Sequence, residues 1–283
     1  MIKVGIIGHT GRLGKPLVRI LSKHPYAEIV YVSSRSKPNN LHPSESEAEV
    51  FFLALPYGES ETKLYGLEGR KVIDLSIDHR CDDRWVYGLP ELNREKIENA
   101  YRVANPGCYA TAILEALLLI KDLIVNIKIK AYSGVSGRPD QPVIKEGGIE
   151  QYAKDREHAQ VAEIEKHLGK QIESFEPHLV YALDTGIVAV IDAELKGRPL
   201  FEGSEFVKLT EFKPFEKNIQ YFNRSLRGLK SANCCNISFD VNEDSVRIIS
   251  SLDNRVKGGS GQAVQNFNLM YGFDETTGLN QQV

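Results

Sequence analysis

The chain has 283 residues, is 42% hydrophobic and 26% charged, and carries a formal net charge of −3. That length accommodates one large domain or two smaller ones with a substantial core; the composition excludes a largely disordered chain, and the charge balance argues against a general nucleic-acid binder. The opening "MIKVGIIGHTG" is too short an apolar run for a signal h-region, and "AILEALLLI", interrupted by Glu115, is too short to span a bilayer. A cytoplasmic protein with no membrane partner is expected. Cys81, Cys108, Cys234 and Cys235 show neither CxxC nor Cys/His zinc spacing, so free thiols and no metal are expected.

In chain order, "IKVGII" reads as a short buried strand, followed by the glycine-rich "GHTGRLG". A helical pattern over about 12–23 then places Leu13, Leu17, Ile20 and Leu21 on one side. "EIVYVSS" is a second strand, the polar "RSKPNNLHPSESEAE" a loop, and "VFFLALP" and "KVIDLS" two further apolar strands. Strand–helix–strand alternation of this kind argues for a parallel sheet with both faces covered. The middle of the chain changes character. "NIKIKAYSGVSG", "TGIVAVIDAELKG", "NISFDV" and "VRIISSL" alternate as half-buried strands with few helices between them, which predicts a mixed or antiparallel sheet. "GSGQAVQNFNLMYGF" returns to a helical pattern and is expected to rejoin the first domain.

Gly8, Gly11 and Gly14 form G-x-x-G-x-x-G directly after the first strand and at a helix start. There the backbone can approach a pyrophosphate, and the helix N-terminus offers N–H donors and the positive end of its dipole. The loop residues Gly8, Thr10, Gly11, Arg12, Leu13 and Gly14 are therefore candidates for dinucleotide binding. NAD-binding folds of this kind carry an acidic residue at the end of the second strand for the ribose 2′-hydroxyl. Here that end reads Ser33-Ser34-Arg35-Ser36-Lys37. Hydroxyls and a guanidinium suit an anionic 2′-phosphate, so NADP(H) is the expected cofactor, with Ser34 and Arg35 at the phosphate.

Cys108 follows the Asn105-Pro106-Gly107 turn at once and opens a long apolar helical pattern. A thiolate is favoured at a helix N-terminus, and the same N–H groups can stabilise an oxyanion on a carbonyl that the sulfur attacks. Cys108 is thus a candidate nucleophile. Seven histidines could supply its base. His9 lies in the glycine loop and His24 ends a helix; spacing alone leaves His158, His167 and His178 open, with His158 expected on the helix of "DREHAQVAEIEKHLG".

Taken in order, "GHTGRLG", "SSRS", "FLALPYG", "VIDLSIDHR", "YGLPEL", "NPGCYATA", "SGVSG", "EHAQVAEIEKHL", "SFEPHLV" and "DNRVKGGSGQAVQNFNLMYGFDETTGL" resemble the N-acetyl-γ-glutamyl-phosphate reductases over nearly the whole chain. The resemblance implies an α/β protein with a Rossmann-type NADP-binding domain, 1–107 rejoined by 260–283. It also implies an α+β catalytic domain, 108–259, of the semialdehyde/glyceraldehyde-phosphate dehydrogenase type. It implies NADPH-dependent reductive dephosphorylation of an acyl phosphate to a semialdehyde through a thioester, with Cys108 as nucleophile and His158 as catalytic histidine. Substrate contacts fall on Arg80, Asn105, Ser133 and Gly134, with Ser136 and Gly137 beside them. Cofactor contacts fall on Pro56, Gly258, Gly261, Gln262 and Asn266, with Ala54 and Leu55 along the groove.

The chain also departs from the family pattern. The family's H-R-H reads His158-Ala159-Gln160, Thr185 replaces a common Arg before "GI", and "SGVSG" runs into "RPDQP". The segments between "SSRS" and "VFFLALP" and between "SGVSG" and His158 are short. Three other readings stand beside the free small-molecule reductase. One is the same chemistry on an aminoadipyl or glutamyl phosphate bound to an acidic carrier protein, with Lys145, Lys154 and Arg156 as candidate basic contacts. Another is a non-catalytic NADP-binding sensor. Aspartate-semialdehyde dehydrogenase fits the "NPGCYATA" and "GFDETTGL" context poorly. A homo-oligomer, dimer or tetramer, is expected from the resemblance.

Overall fold

The computed structural model describes residues 1–137 and 148–279. The chain forms two compact units, Met1–Gly107 with the described chain from Gly259 on, and Cys108–Gly258. The candidate carrier contact Lys145 lies outside the described residues.

The first unit runs β1 (Ile2–Ile7), α1 (Gly14–Leu21), β2 (Ala27–Ser33), β3 (Val50–Leu53), α2 (Ser60–Leu64), β4 (Lys71–Asp74), β5 (Val86–Tyr87), α3 (Pro90–Glu98) and β6 (Arg102–Ala104). Its six strands lie in the order β2-β1-β3-β4-β6-β5, and every pairing is parallel. The order reverses between β1 and β3, which opens a crevice at their carboxyl ends, where open α/β sheets bind ligands. Both faces are buried, so the strands are apolar throughout rather than alternating. Val4, Ile6, Val50, Phe52 and Ile73 face one core with Leu17 and Leu21 of α1. Ile7, Phe51, Leu53 and Val72 face the other with Tyr31 and Trp85.

The second unit runs α4 (Cys108–Leu117), β7 (Ile124–Gly134), β8 (Ile149–Gln151), α5 (Gln160–Leu168), β9 (Ile172–Val180), β10 (Ile187–Leu195), β11 (Val207–Leu209), α6 (Ile219–Ser225), β12 (Cys235–Val241) and β13 (Ser245–Leu252). The seven-stranded sheet has the order β11-β12-β13-β10-β7-β9-β8. It is mixed: β7–β9 and β11–β12 are parallel and the other pairs antiparallel. The fold is thus the expected parallel α/β sheet with a second, mixed sheet. α4 lies against β10, β12 and β13, and every residue from Tyr109 to Leu117 is buried. The opposite face is covered by Tyr221 and Phe222 of α6 over Tyr132, Val188, Val190 and Ile249. A π-helical turn, Val256–Ser260, leads the chain out of this unit into α7 (Gly261–Met270), which packs on α1, α3 and β4 of the first. No helix among the described residues is long and apolar enough to cross a membrane.

Candidate active site

In the first unit the glycine loop connects β1 to α1 at the switch point. The backbone dictates its glycines. Gly8 has φ +93°, a left-handed conformation, and a Cβ there would lie 2.2 Å from the carbonyl oxygen of Ala54; a Cβ on Gly14 would lie 2.1 Å from that of Gly8. The N–H of Gly11 donates to Gly8 O at 2.9 Å, so the turn closes before the helix starts. This leaves Arg12 and Leu13 in the loop, and α1 begins two residues later than its apolar pattern suggests. α1 starts without a side-chain cap and without an acidic residue in its first turn, which suits an anion at its N-terminus. The geometry fits a pyrophosphate.

The end of β2 is a tight turn in which Ser34 N–H donates to Lys37 O at 3.0 Å and Lys37 N–H returns to Ser34 O at 3.2 Å. Thr10 Oγ1 lies 3.0 Å from Ser36 Oγ, which joins this turn to the glycine loop. Arg35 projects outward with its side chain 83% exposed, but it is not alone: its Nη2 meets Glu59 Oε1 at 2.5 Å. The loop after β3 carries both Pro56 and Glu59. Asp78 shapes it by accepting the N–H groups of Gly58 (2.8 Å) and Ser60 (3.0 Å). Behind it, the fully buried Asp74 accepts from Ser60 Oγ at 2.9 Å and from Ser76 Oγ at 2.7 Å. Burial pushes the Asp74 carboxyl upward against these hydrogen bonds.

Several residues expected at the ligands carry hydrogen bonds of the fold. Arg80 Nε donates to Asn105 O at 2.9 Å and its Nη2 to Leu75 O at 3.0 Å, so the guanidinium braces the turn before Cys108. Asn105, 1% exposed, donates to Gly259 O at 3.1 Å and accepts from Asn266 at 3.1 Å. Gln262 and Asn266 are wholly buried, and both donate to Gly88 O, at 3.2 and 2.9 Å. Asn105, Gln262 and Asn266 are thus tied together by hydrogen bonds within the first unit. Gly261 opens α7 and is buried with them.

In the second unit Cys108 is the first residue of α4 and is partly exposed, whereas Cys234 and Cys235 are buried. All four cysteines are free. Burial pushes the Cys234 thiol up to about 11 and that of Cys235 well above its usual range. Gly258, expected among the cofactor residues, packs on Cys108: a Cβ at 258 would lie 2.7 Å from Cys108 Cβ. Only glycine lets the π-helical turn approach the thiol this closely.

His158 precedes α5 rather than lying on it, with extended backbone after a short 3-10 turn. Its ring is caged by aromatic neighbours, edge-on to Tyr109 at 5.3 Å between centroids and tilted on Phe175 at 5.4 Å. Its Nδ1 accepts the backbone N–H of Gln160 at 3.3 Å. The neutral ring therefore carries its proton on Nε2, where it donates to Tyr152 Oη at 3.3 Å. Tyr152 in turn donates to Tyr109 Oη at 3.2 Å. Burial keeps the Tyr109 phenol well above its usual range, so it stays neutral. Sequence reasoning missed Tyr152 and the work of Gln160. Gln160 Oε1 accepts the N–H of Ala110 at 3.0 Å and so ties the α5 start to the first turn of α4. Replacing Tyr152 with Phe is expected to lower kcat about fivefold, the worth of one orienting hydrogen bond. The cofactor KM should stay unchanged; a shift confined to that KM would remove Tyr152 from this role.

Ser133 is 4% exposed and donates to Gly134 O at 3.0 Å. A Cβ at Gly134 would lie 2.7 Å from Asp184 O. Ser136 pairs with Asn254, whose Nδ2 donates to its Oγ at 3.1 Å. Arg255 Nη2 meets Asp184 at 2.9 Å, which brings a guanidinium next to Thr185, where the family pattern has an arginine. Lys154 is exposed, while Arg156 is bound to Glu165 at 2.8 Å. Among the described residues no group of three or more His, Cys, Asp or Glu side chains could hold a metal ion.

Comparison with known proteins gives the family. Residues 3–100 match the family model "Semialdehyde dehydrogenase, NAD binding domain", and residues 108–254 match "Semialdehyde dehydrogenase, dimerisation domain". The chain is 36% identical to the N-acetyl-gamma-glutamyl-phosphate reductase of Archaeoglobus fulgidus, with 98% of each chain covered. It is 37% identical to that of Clostridium novyi, covering 99% of this chain and 98% of that protein. A protein of Pyrococcus abyssi named as a LysW-L-2-aminoadipate/LysW-L-glutamate phosphate reductase is 33% identical, with 99% and 98% covered. That alignment runs over 332 positions against 283 residues here, a difference of 49, so this chain lacks stretches the relative carries. Among solved structures, aspartate semialdehyde dehydrogenase II from Vibrio cholerae shares the fold, with a TM-score of 0.75 at 18% identity over 96% of this chain and 98% of that one. The chain belongs to the semialdehyde dehydrogenase family, in the branch of the N-acetyl-gamma-glutamyl-phosphate reductases and their LysW-linked relatives.

Proposed function

We propose that this protein reduces N-acetyl-γ-glutamyl phosphate to N-acetylglutamate semialdehyde with NADPH, through a thioester on Cys108. The observation that carries the reading is a partly exposed thiol at the first residue of α4, next in the chain to Tyr109, whose ring meets that of His158 edge-on at 5.3 Å. It occurs in a chain that matches such reductases end to end.

The chemistry follows from these groups. The Cys108 thiolate attacks the acyl carbon; the carbon–sulfur bond forms and the bond to phosphate breaks. The leaving phosphate takes up one proton, which His158 supplies from its imidazolium form, returning to the neutral ring. NADPH, when held by the glycine loop, would supply the hydride that reduces the thioester carbonyl. The resulting tetrahedral oxyanion is stabilised by backbone N–H groups at the start of α4. Gln160 Oε1 already occupies that of Ala110, which leaves this work to the residues before it. Collapse expels the thiolate and releases the aldehyde without a further proton, and His158 is reprotonated from solvent. One proton is consumed per turnover.

The loop of Gly8, Thr10, Gly11, Arg12, Leu13 and Gly14 would hold the pyrophosphate, and Ser34, Ser36 and Arg35 the 2′-phosphate of NADPH. Arg80 and Asn105 brace the turn that presents Cys108, and Ser133 and Gly134 line the substrate side of the second unit. The match to a dimerisation domain over 108–254 supports a homo-oligomer built through that unit. A second reading, the same reaction on a carrier-bound aminoadipyl or glutamyl phosphate, is supported by the Pyrococcus abyssi relative.

The test is the reverse reaction: N-acetylglutamate semialdehyde, phosphate and NADP, followed by absorbance of the reduced cofactor. Phosphate-dependent reduction supports the free substrate. A folded protein that binds NADPH but is inactive here points to the carrier-bound substrate. Inactivity on both substrates leaves the non-catalytic sensor.

A further inference from the structure

We infer that Glu59 sets the cofactor preference by competing with the 2′-phosphate of NADPH for the Arg35 guanidinium; this rests on the NADPH reading above. The sequence places no acid at the end of β2. The fold supplies one from elsewhere, because β3 follows β1 across the sheet and its outgoing loop returns beside the β2 turn. Glu59 Oε1 lies 2.5 Å from Arg35 Nη2.

Glu59 is held in place from both sides. Its two neighbours, Gly58 and Ser60, donate their N–H groups to the Asp78 carboxylate at 2.8 and 3.0 Å, and Thr62 Oγ1 donates to Glu59 O at 2.9 Å. The Asp78 N–H is in turn fixed on Ser76 Oγ at 3.1 Å. Arg35 is the mobile partner, on the tip of the Ser34–Lys37 turn with 83% of its side chain exposed against 36% for Glu59. The backbone at Glu59 is thus held, and a phosphate at the Ser34, Ser36 and Thr10 hydroxyls must draw Arg35 away from the Glu59 carboxylate or share it. A ribose bearing only a 2′-hydroxyl meets the opposite situation, since a carboxylate there is an acceptor for that hydroxyl. Glu59 thus disfavours NADPH and retains some use of NADH.

Glu59→Gln removes the charge while keeping the shape, and both side chains lie at the surface, so folding is preserved. The kcat/KM ratio of NADPH over NADH is measured for wild type, Glu59→Gln, Arg35→Ala and the double variant, with Kd from the fluorescence of the bound reduced cofactors. Expected is a ratio about two- to fivefold higher in Glu59→Gln, the range an exposed ion pair spans. That gain should be absent when Arg35 is alanine. An unchanged ratio, or a gain that persists without Arg35, overturns the competition. If instead wild type prefers NADH and Arg35→Ala leaves NADPH binding intact, the NADPH reading itself fails and takes the competition with it. Arg35→Ala alone is expected to weaken NADPH about tenfold or more, as loss of a charge-assisted contact to phosphate would.

Discussion

Cys108→Ala is expected to abolish turnover, by about four orders of magnitude or more, while NADPH binds with unchanged affinity. The expectation rests on three features of the second unit. Cys108 begins a ten-residue helix, where the dipole and the first N–H groups favour a thiolate. Gly258 leaves no side chain between the π-helical turn and the sulfur-bearing residue. The other thiols are unsuited: Cys234 and Cys235 are buried and pushed upward, and Cys81 is exposed in the first unit, away from any helix start. Two measurements check this. The oxidative assay should lose its phosphate-dependent signal in the variant, and iodoacetamide should label Cys108 in wild type much faster than Cys81 near neutral pH. Residual activity above about a tenth in Cys108→Ala would contradict a covalent mechanism on the scale set by other lost nucleophiles.

The sequence carried the fold further than the site. Continuous apolar runs such as "VFFL" and the glycine spacing announced the parallel unit, because burial on both faces and close backbone approach leave direct marks on composition. The strands of the second unit were equally legible from alternation in "NIKIKAY" and "VRIISSL". The short β5 and β6 left no such mark, since two or three residues cannot show a period. Cys108 and His158 are singled out by sequence because each stands in a distinctive string. Residues that act through space are not. Glu59 reaches Arg35 by sheet topology, Tyr152 reaches His158 across a turn, and neither has a spacing that signals it. Arg80, Asn105 and Asn266 carry hydrogen bonds to carbonyls of the fold, which their place beside a motif does not signal.

Breaking the Glu115–Lys257 pair is expected to produce the largest loss of stability of any charge substitution among the described residues. The two side chains meet at 2.7 Å and both are completely buried, and Lys257 Nζ also lies 5.0 Å above the Phe206 ring. Glu115→Gln or Lys257→Met leaves the surviving charge without a counter-ion in the interior, which costs about 3–5 kcal/mol. Replacing both, Glu115→Leu with Lys257→Met, removes the desolvation burden together with the attraction and is expected to return stability to near wild type or above it. The pair also bears on the nucleophile. Glu115 lies two turns along α4 from Cys108, on the same side of the helix, and Lys257 directly precedes Gly258. Adjacent residues of the π-helical turn are thus fixed to one stripe of α4 at two points, the ion pair and the Gly258–Cys108 contact. The single variants should therefore slow alkylation of Cys108 as well as lower the urea midpoint, and the apolar double should restore both. Single variants within about 0.5 kcal/mol of wild type, the range of an ordinary surface substitution, would show that the pair bears no structural load. Restored stability with a thiol that stays slow would show instead that the charges themselves, not the fixed turn, tune Cys108.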